Sequence, residues 1–199
     1  MSFQTILNIH QSFTVNNRRM IGQQVSRSGQ LRVAQYLTAV PWVFTIVPHN
    51  YLYYPQVRAI IQAIDNADRQ NAENITFNTD QLRWFTRMQG TATAATLAAT
   101  PAANTQTLTL SSNGTYKAGD FIQVGGYVYK VTADSAGTTV NIHRPLIGAP
   151  LSGATVTLGQ NVSFSVIAEQ CPTYTLTPMT NGAFVNWDSA FVLRENITN

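Results

Sequence analysis

The sequence predicts a mainly β protein of the α+β class, in which one helix packs on a larger β domain and a small β-barrel is inserted into that domain. Three observations support this. Short alternating or apolar runs fill most of the chain, one segment has helical periodicity, and a Thr- and Ala-rich stretch interrupts the strands. With 199 residues and 44% hydrophobic content, the chain can bury one large core or two small ones.

The first part of the larger domain is predicted to be strands, over residues 3–47. The run VSRSGQLRV forms two short stretches about Ser28-Gly29, which is a hairpin pattern. The run VPWVFTIV, from Val40 to Val47, is apolar and rich in β-branched and aromatic residues, so a core strand is expected there.

A helix is predicted from Pro55 to about Arg69. Pro55 suits a first helical turn, and four aliphatic residues fall on one helical face: Val57, Ile60, Ile61 and Ile64. The run Tyr51-Leu52-Tyr53-Tyr54 before the helix has two interpretations, a binding platform for a sugar or base and a set of core contacts. The second is favoured, because aromatic residues leading into an amphipathic helix usually pack inward.

After the helix, ENITF and QLRWFTRMQ predict two more strands, the second with Leu82, Trp84 and Thr86 on one face. Residues 90–104 are small, uncharged and repetitive, so an extended Thr/Ala-rich linker is expected. The larger domain therefore comprises residues 1–89 and 161–199, and the inserted module comprises residues 105–160.

The inserted module is predicted to be a small half-open barrel or sandwich of five short strands, near TQTLTL, DFIQV, YVYKV, TVNIH and ATVTL. Gly125-Gly126 and Ser135-Ala136-Gly137 are its expected turns. Barrels of this size often bind nucleic acid or sugar. The candidate groups here are four basic residues and three aromatic ones, Lys117, Lys130, His143 and Arg144 with Tyr116, Tyr127 and Tyr129.

From Asn161 the chain is predicted to return to the larger domain. The run NVSFSVIAE alternates, and Asn181-Gly182 is a strong hairpin pattern. The last strand, Ala190 to Glu195, has two interpretations, an interior strand and an edge strand offered to a neighbouring chain.

The low content of charged residues indicates that the chain assembles with other subunits. Charged residues make up 11% of the chain, against roughly 25% in typical soluble domains. Uncharged polar surface suits permanent contact between subunits, while an ordinary neutral β domain stays open as the alternative. The net charge is +3, and basic residues concentrate in the first third. We expect intersubunit contacts rather than nucleic-acid binding from Asn17, Arg18, Arg19, Arg27 and Arg32.

No catalytic, cofactor-binding or metal-binding pattern emerges, so an enzyme is not expected. The carboxylates are spread singly, the three histidines are scattered, and Cys171 is the only cysteine. A carboxylate pair joined by folding stays open, although no feature favours it. No apolar run reaches the ~18 residues of a membrane span, and no secretion signal is present. Synthesis and assembly in a cytoplasm are therefore expected.

Three stretches resemble tail proteins of tailed bacteriophages, of the distal-tail, tube-end or baseplate-hub type: SFTVNNRRMIGQQVSRSGQLRVAQ, AGDFIQVGGYVYKVTADSAGTTVNIHRPL and FVNWDSAFVLREN. The first and last are similar to strands of a tail-tube-like β-sandwich or split barrel. The middle one is similar to the small barrel that such proteins carry as an insertion, where a segment beginning with Gly-Asp ends in a basic-Pro pair, as Arg144-Pro145 does here.

The resemblance implies a structural role in the virion tail or baseplate, assembled in the host bacterial cytoplasm. Members of this type form rings, commonly hexamers or trimers, that surround the DNA channel and join the tail tube to the baseplate hub. The implied partners are identical copies and other tail-tube and baseplate proteins, with DNA only passing through, no membrane insertion and no cofactor. The alternative is a carbohydrate- or nucleic-acid-binding β module.

Overall fold

The computed structural model describes residues 2–17, 21–25, 29–35, 40–65, 71–79 and 81–198. The described chain is mainly β, with 46% strand and 15% helix, which confirms the predicted class. The helices are α1 Ser2–Asn8, α2 Tyr54–Asp65 and α3 Arg83–Thr86. The strands are β1 His10–Asn16, β2 Ile21–Val25, β3 Leu31–Gln35, β4 Val43–Pro48, β5 Leu52–Tyr53, β6 Glu73–Thr76, β7 Ala95–Thr96, β8 Thr107–Tyr116, β9 Phe121–Val124, β10 Tyr127–Lys130, β11 Ser135–Asn141, β12 Thr155–Leu158, β13 Ser163–Gln170, β14 Tyr174–Met179, β15 Gly182–Trp187 and β16 Phe191–Glu195.

The chain forms two compact units. The first contains Met1–Asn16, Pro41–Ile75 and Phe164–Thr198, and the second contains Asn17–Val40 and Thr76–Ser163. The sequence had placed the inserted module at residues 105–160, behind a linker at 90–104. The second unit is larger than that module, because it also contains Asn17–Val40 and the residues from Thr76 onward, including the linker residues.

The first unit contains a five-stranded sheet in the order β1-β4-β16-β13-β6 and a three-stranded sheet in the order β14-β15-β5. In β4, Phe44 and Ile46 are fully buried and alternate with half-buried residues. Phe164 packs edge-on against Phe44, with ring centroids 5.0 Å apart, and against Trp42, at 5.7 Å. These aromatic contacts hold the centre of the sheet, as predicted for the Val40–Val47 run.

Helix α2 has the predicted amphipathic pattern. Ile61 and Ile64 are buried, while Arg58 and Gln62 on the other side are exposed. The expected C-terminal part of this helix lies in residues 66–70, which are outside the described residues.

Two segments predicted to be strands are helices. Ser2–Asn8 forms α1 and buries Phe3, Ile6 and Leu7. Arg83–Thr86 forms α3, in which Thr86 is buried and Trp84 is 64% exposed. Both segments place buried or half-buried residues three and four positions apart, at 3, 6 and 7 and at 82, 85 and 86, and this is the spacing of a helical face.

The second unit contains a barrel of six strands. Strand order β10-β9-β12-β7 forms one sheet, and β11-β8 forms another. An isolated bridge between Leu97 and Leu110 joins β7 to β8, and a bridge between Val131 and Ile142 joins β10 to β11. The strands therefore form a closed circuit, whereas the sequence predicted a half-open barrel of five strands.

The closing strand, β7, comes from the predicted linker. Thr96 pairs with Thr155 and Ala95 with Val156, and Ala95 and Leu97 lie in the barrel core. The expectation of an extended connector is wrong for this part of the segment, because two apolar side chains in a Thr- and Ala-rich run are enough to place a strand between two neighbours.

The predicted turns had mixed outcomes. Gly125 and Gly126 have φ of 61° and 88° and join Val124 to Tyr127, as expected for a two-residue hairpin turn. Residues 135–137 lie within β11 instead of forming a turn, and a register shift follows Gly137. In the β14-β15 hairpin Met179 pairs with Gly182, so the turn is one residue earlier than Asn181-Gly182.

Candidate interaction surfaces

The hairpin predicted around Ser28-Gly29 is confirmed, because β2 and β3 pair antiparallel from Ile21↔Gln35 to Val25↔Leu31. Of the residues expected to contact neighbouring subunits, Asn17 follows β1 and is half-buried, and Arg32 pairs with Gln24 in this hairpin. Arg18, Arg19 and Arg27 lie outside the described residues. Their role as intersubunit contacts stays a prediction.

The last strand, β16, is an interior strand of its sheet, since it pairs with both β4 and β13. The interpretation of this segment as an edge strand is therefore wrong. Strand β14 is an edge strand instead. Its residues Thr175–Met179 are exposed, including Leu176 at 41% and Met179 at 45%.

Strand β14 contains no charged residue in its sequence YTLTPM. Natural edge strands usually discourage pairing with another chain by carrying charges, especially lysine. Pro178 is the one blocking feature, because proline lacks the N–H that a neighbouring strand would accept. An added strand can therefore take its donors from β14 only before this residue.

Strand β1 is also an uncharged edge strand of this unit, at one side of the five-stranded sheet. Its sequence HQSFTVN pairs with β4 from Asn16↔Val43 to His10↔Pro48, and the register shifts between His10 and Ser12. The barrel differs from this unit, because a closed circuit of strands leaves no unpaired edge. The edge strands open to strand addition thus belong to the first unit and to the β2-β3 hairpin, and not to the barrel.

The predicted stacking groups of the barrel are mostly inside it. Tyr116 and Tyr129 are fully buried, and Tyr127 is half-buried. The hydroxyl oxygen of Tyr129 accepts a hydrogen bond from the Ile147 N–H at 2.9 Å. The aromatic strand residues therefore build the core and offer no row of exposed rings for bases or sugars.

Two of the barrel's predicted basic groups also form hydrogen bonds within the protein. Arg144 is 1% exposed, and its guanidinium donates to the carbonyl oxygens of Val40 at 2.6 Å and Val128 at 2.9 Å. It also lies 5.2 Å from the ring centroid of Tyr129. The His143 imidazole Nδ1 accepts a hydrogen bond from the Lys130 N–H at 3.0 Å. The basic-Pro pair is thus a structural element of this unit.

Lys117 forms an exposed ion pair with Asp134, with Nζ 2.7 Å from the carboxylate. The hydrogen bond to Lys117 lowers the pKa of Asp134, and the same contact raises the pKa of Lys117. Because solvent screens exposed pairs, this contact contributes little to stability.

Asp120 is fully buried, and its carboxylate accepts three backbone N–H bonds. The donors are Gln89 at 2.7 Å, Gly90 at 3.0 Å and Lys117 at 2.8 Å. A Cβ on Gly90 would lie 2.0 Å from the carbonyl oxygen of Thr115, so the close approach requires glycine. Asp120 therefore fastens the start of the segment 90–104 to the barrel.

Among the described residues, no group of three or more His, Cys, Asp or Glu side chains lies close enough to hold a metal ion. Cys171 is half-buried. In the part of the chain that the structure describes, no helix is long and apolar enough to cross a membrane.

Sequence reasoning missed one surface feature, the exposed aromatic residues. Trp84 is 64% exposed in α3, and Tyr51 is 72% exposed with a φ of 60°. Tyr51 was expected to be a core contact, and its exposure contradicts that interpretation for this residue. The signal for Trp84 was present in the helical spacing of its neighbours, which places residues 82, 85 and 86 inward and residue 84 outward.

The comparisons with known proteins give no identification: no protein-family model matches the sequence, and no curated protein matches it either.

Proposed function

We propose that this chain is a structural component of a bacteriophage tail or baseplate, forming a ring around the DNA channel and joining the tail tube to the baseplate hub. The observation that carries the proposal is the β14 edge, which is exposed, uncharged and partly apolar. An edge of this kind is suited to main-chain hydrogen bonding with a strand of another copy. The resemblance of three sequence stretches to phage tail proteins supports the same function.

The edge strands β14 and β1 of the first unit make ring formation plausible in physical terms. When β14 of one copy contacts β1 of the next, the contact is head-to-tail, and such a contact closes into a ring if the rotation between copies divides a full turn. The low charge content agrees with this arrangement, because uncharged polar groups that form hydrogen bonds across an interface cost less to bury than charged groups.

The proposal predicts that the purified chain forms a closed oligomer through β14. The double variant Thr175→Lys with Met179→Lys places two positive charges on exposed positions of this strand. We expect it to be monomeric, because neighbouring copies would have to bury these charges. Light scattering after size-exclusion chromatography measures the mass of both proteins.

The matched control carries the same added charge on the barrel, in Leu151→Lys with Thr132→Lys, at two positions that are also exposed. It should keep the oligomer. Circular dichroism should show that all three proteins are folded. A wild-type chain that is monomeric at high concentration, or a β14 variant that assembles like the control, contradicts the proposal.

A further inference from the structure

Trp84 provides a fixed aromatic surface on the second unit. Its indole Nε1–H donates to the carbonyl oxygen of Gln81 at 2.9 Å, and its ring contacts Phe85 edge-on at 6.2 Å. Phe85 is itself held by Phe77 at 4.9 Å and Phe121 at 5.0 Å. The indole is therefore oriented by the protein while 64% of the residue stays exposed.

One depression is lined by this ring, and a second shares two of its lining residues. Trp84, Phe85 and Gln89 line the first, of about 500 Å³, and Gln160 and Asn161 line the second, of about 300 Å³. Arg87 and Met88 line both. We name the two together the Trp84 groove.

The polar groups of this groove are amides and one guanidinium. Arg87, Gln89, Gln160 and Asn161 are exposed, and within the described part of the chain their side chains have no hydrogen-bond partner. Among the described residues, no carboxylate lines either depression. Asp120 follows the lining residue Gly119, but it is fully buried, with its oxygens held by three backbone N–H groups.

We propose that the Trp84 groove binds an acidic oligosaccharide. A sugar ring presents an apolar C–H face that packs on an indole, and its hydroxyls pair with side-chain amides, which both donate and accept. The guanidinium of Arg87 matches the carboxylate of a uronic acid with two parallel hydrogen bonds. A concave site with an aromatic wall and a few convergent polar groups has the general form of a small-ligand site.

The composition of the groove favours a saccharide over a nucleic acid. A single strand of nucleic acid is held by a row of cations along its phosphates and by successive aromatic rings. Among the described residues that line it, the Trp84 groove has one cation, Arg87, and one exposed ring, Trp84. It therefore suits a ligand that carries isolated negative charges.

Titration calorimetry tests the proposal with a hexasaccharide of alternating glucuronate and N-acetylglucosamine as the probe. We expect saturable binding that weakens about tenfold or more in Trp84→Ala and in Arg87→Gln, and that weakens with added salt. A neutral N-acetylglucosamine hexamer should bind more weakly to the wild type, and Arg87→Gln should not change its affinity.

The control variant is Leu151→Ala, at a 70% exposed apolar position of the same unit, and it should bind like the wild type. Trp84→Phe keeps an aromatic surface and should bind better than Trp84→Ala. No saturable binding of the uronate probe overturns the proposal. Equal affinity in Trp84→Ala, or tighter binding of a thymidine dodecamer than of the uronate probe, also overturns it. These results are independent of the oligomer mass, which tests the proposed function.

Discussion

Asp120 shows how one buried charge can organise a fold at the residue scale. Its carboxylate has no cation as a hydrogen-bond partner among the described residues, and three backbone N–H groups from two segments compensate its burial. A buried charge is tolerated only when such bonds replace its hydration. Asp120 is thus a structural residue, and its position in a Gly-Asp pair reflects local backbone geometry rather than catalysis.

Replacing this carboxylate should destabilise the barrel. We expect Asp120→Asn to lower the free energy of unfolding by about 2–4 kcal/mol, because an amide accepts through one oxygen and brings two buried N–H donors with no acceptor. Urea denaturation monitored by circular dichroism measures the change. The control is Asp134→Asn, an exposed carboxylate that also accepts a backbone N–H, from Ala118; its effect should be clearly smaller, because solvent screens an exposed carboxylate. Equal effects of the two variants would contradict this account.

The buried phenol of Tyr116 should make the free energy of unfolding depend on pH. Burial raises the pKa of this phenol above its ordinary value of 10.0, and the Ser112 side chain partly opposes the shift. A folded pKa above the unfolded one means that the unfolded chain loses its proton first. The protonated phenol therefore favours the folded state. This contribution to stability is fully present below the unfolded pKa and is lost as pH rises through the folded pKa.

The free energy of unfolding of the wild type should therefore decrease from pH 9 to pH 11. The free energy of unfolding of Tyr116→Phe should decrease less over the same range. Urea titrations at each pH provide the measurement. Parallel pH profiles for the wild type and Tyr116→Phe would show that the buried phenol is not responsible.

At the scale of elements, β7 determines whether the barrel is closed. Leu97, directly after this strand, is 1% exposed and bridges to Leu110. Since a closed barrel leaves no edge, this short strand removes a surface on which other chains could add. A segment that composition predicts to be a linker therefore has a protective role.

Leu97→Ala tests the role of β7. If the segment packs as the structure shows, the variant should lose about 2–4 kcal/mol of stability, since it leaves a cavity in a core. The matched control Leu151→Ala, at a 70% exposed position, should change stability by less than about 0.5 kcal/mol. A negligible effect of Leu97→Ala, measured by urea denaturation, would restore the interpretation of an extended connector.

The elements also show how far the sequence predicts this fold. Most strands and α2 follow from alternation, turn residues and helical periodicity, because those patterns come from contacts local in sequence. Helices α1 and α3 were missed because they are short, and a single i, i+3, i+4 set resembles a strand in an aromatic-rich run. Strand β7 was missed because its partners lie more than fifty residues away, at Thr155 and Val156.

At Gly182 the sequence correctly predicted a hairpin, but the glycine is needed there for a different reason. The Asn-Gly pair predicted a hairpin, and a hairpin is present, yet Gly182 is already paired with Met179. A Cβ there would lie 2.6 Å from the ring of Tyr53. The glycine is required by a neighbouring aromatic ring rather than by a turn, and only the tertiary structure reveals that contact. The same limit applies to the Trp84 groove, whose two depressions combine residues 84–89 with residues 160–161.

At the scale of the whole molecule, the two units divide their roles. The second unit contains a closed barrel, in which Arg144, Tyr116 and Tyr129 are buried. The first unit has uncharged edge strands, among them β1 and β14. Assembly through the first unit leaves the barrel to contact other partners, and this division agrees with the proposed place of the chain in a tail or baseplate.

Cryo-electron microscopy of the purified chain tests the central claim most directly. The account predicts closed rings in which a strand of the neighbouring copy lies hydrogen-bonded along Tyr174–Thr177 at the start of β14. Particles that remain monomeric, or rings in which this edge of β14 faces solvent, would contradict it.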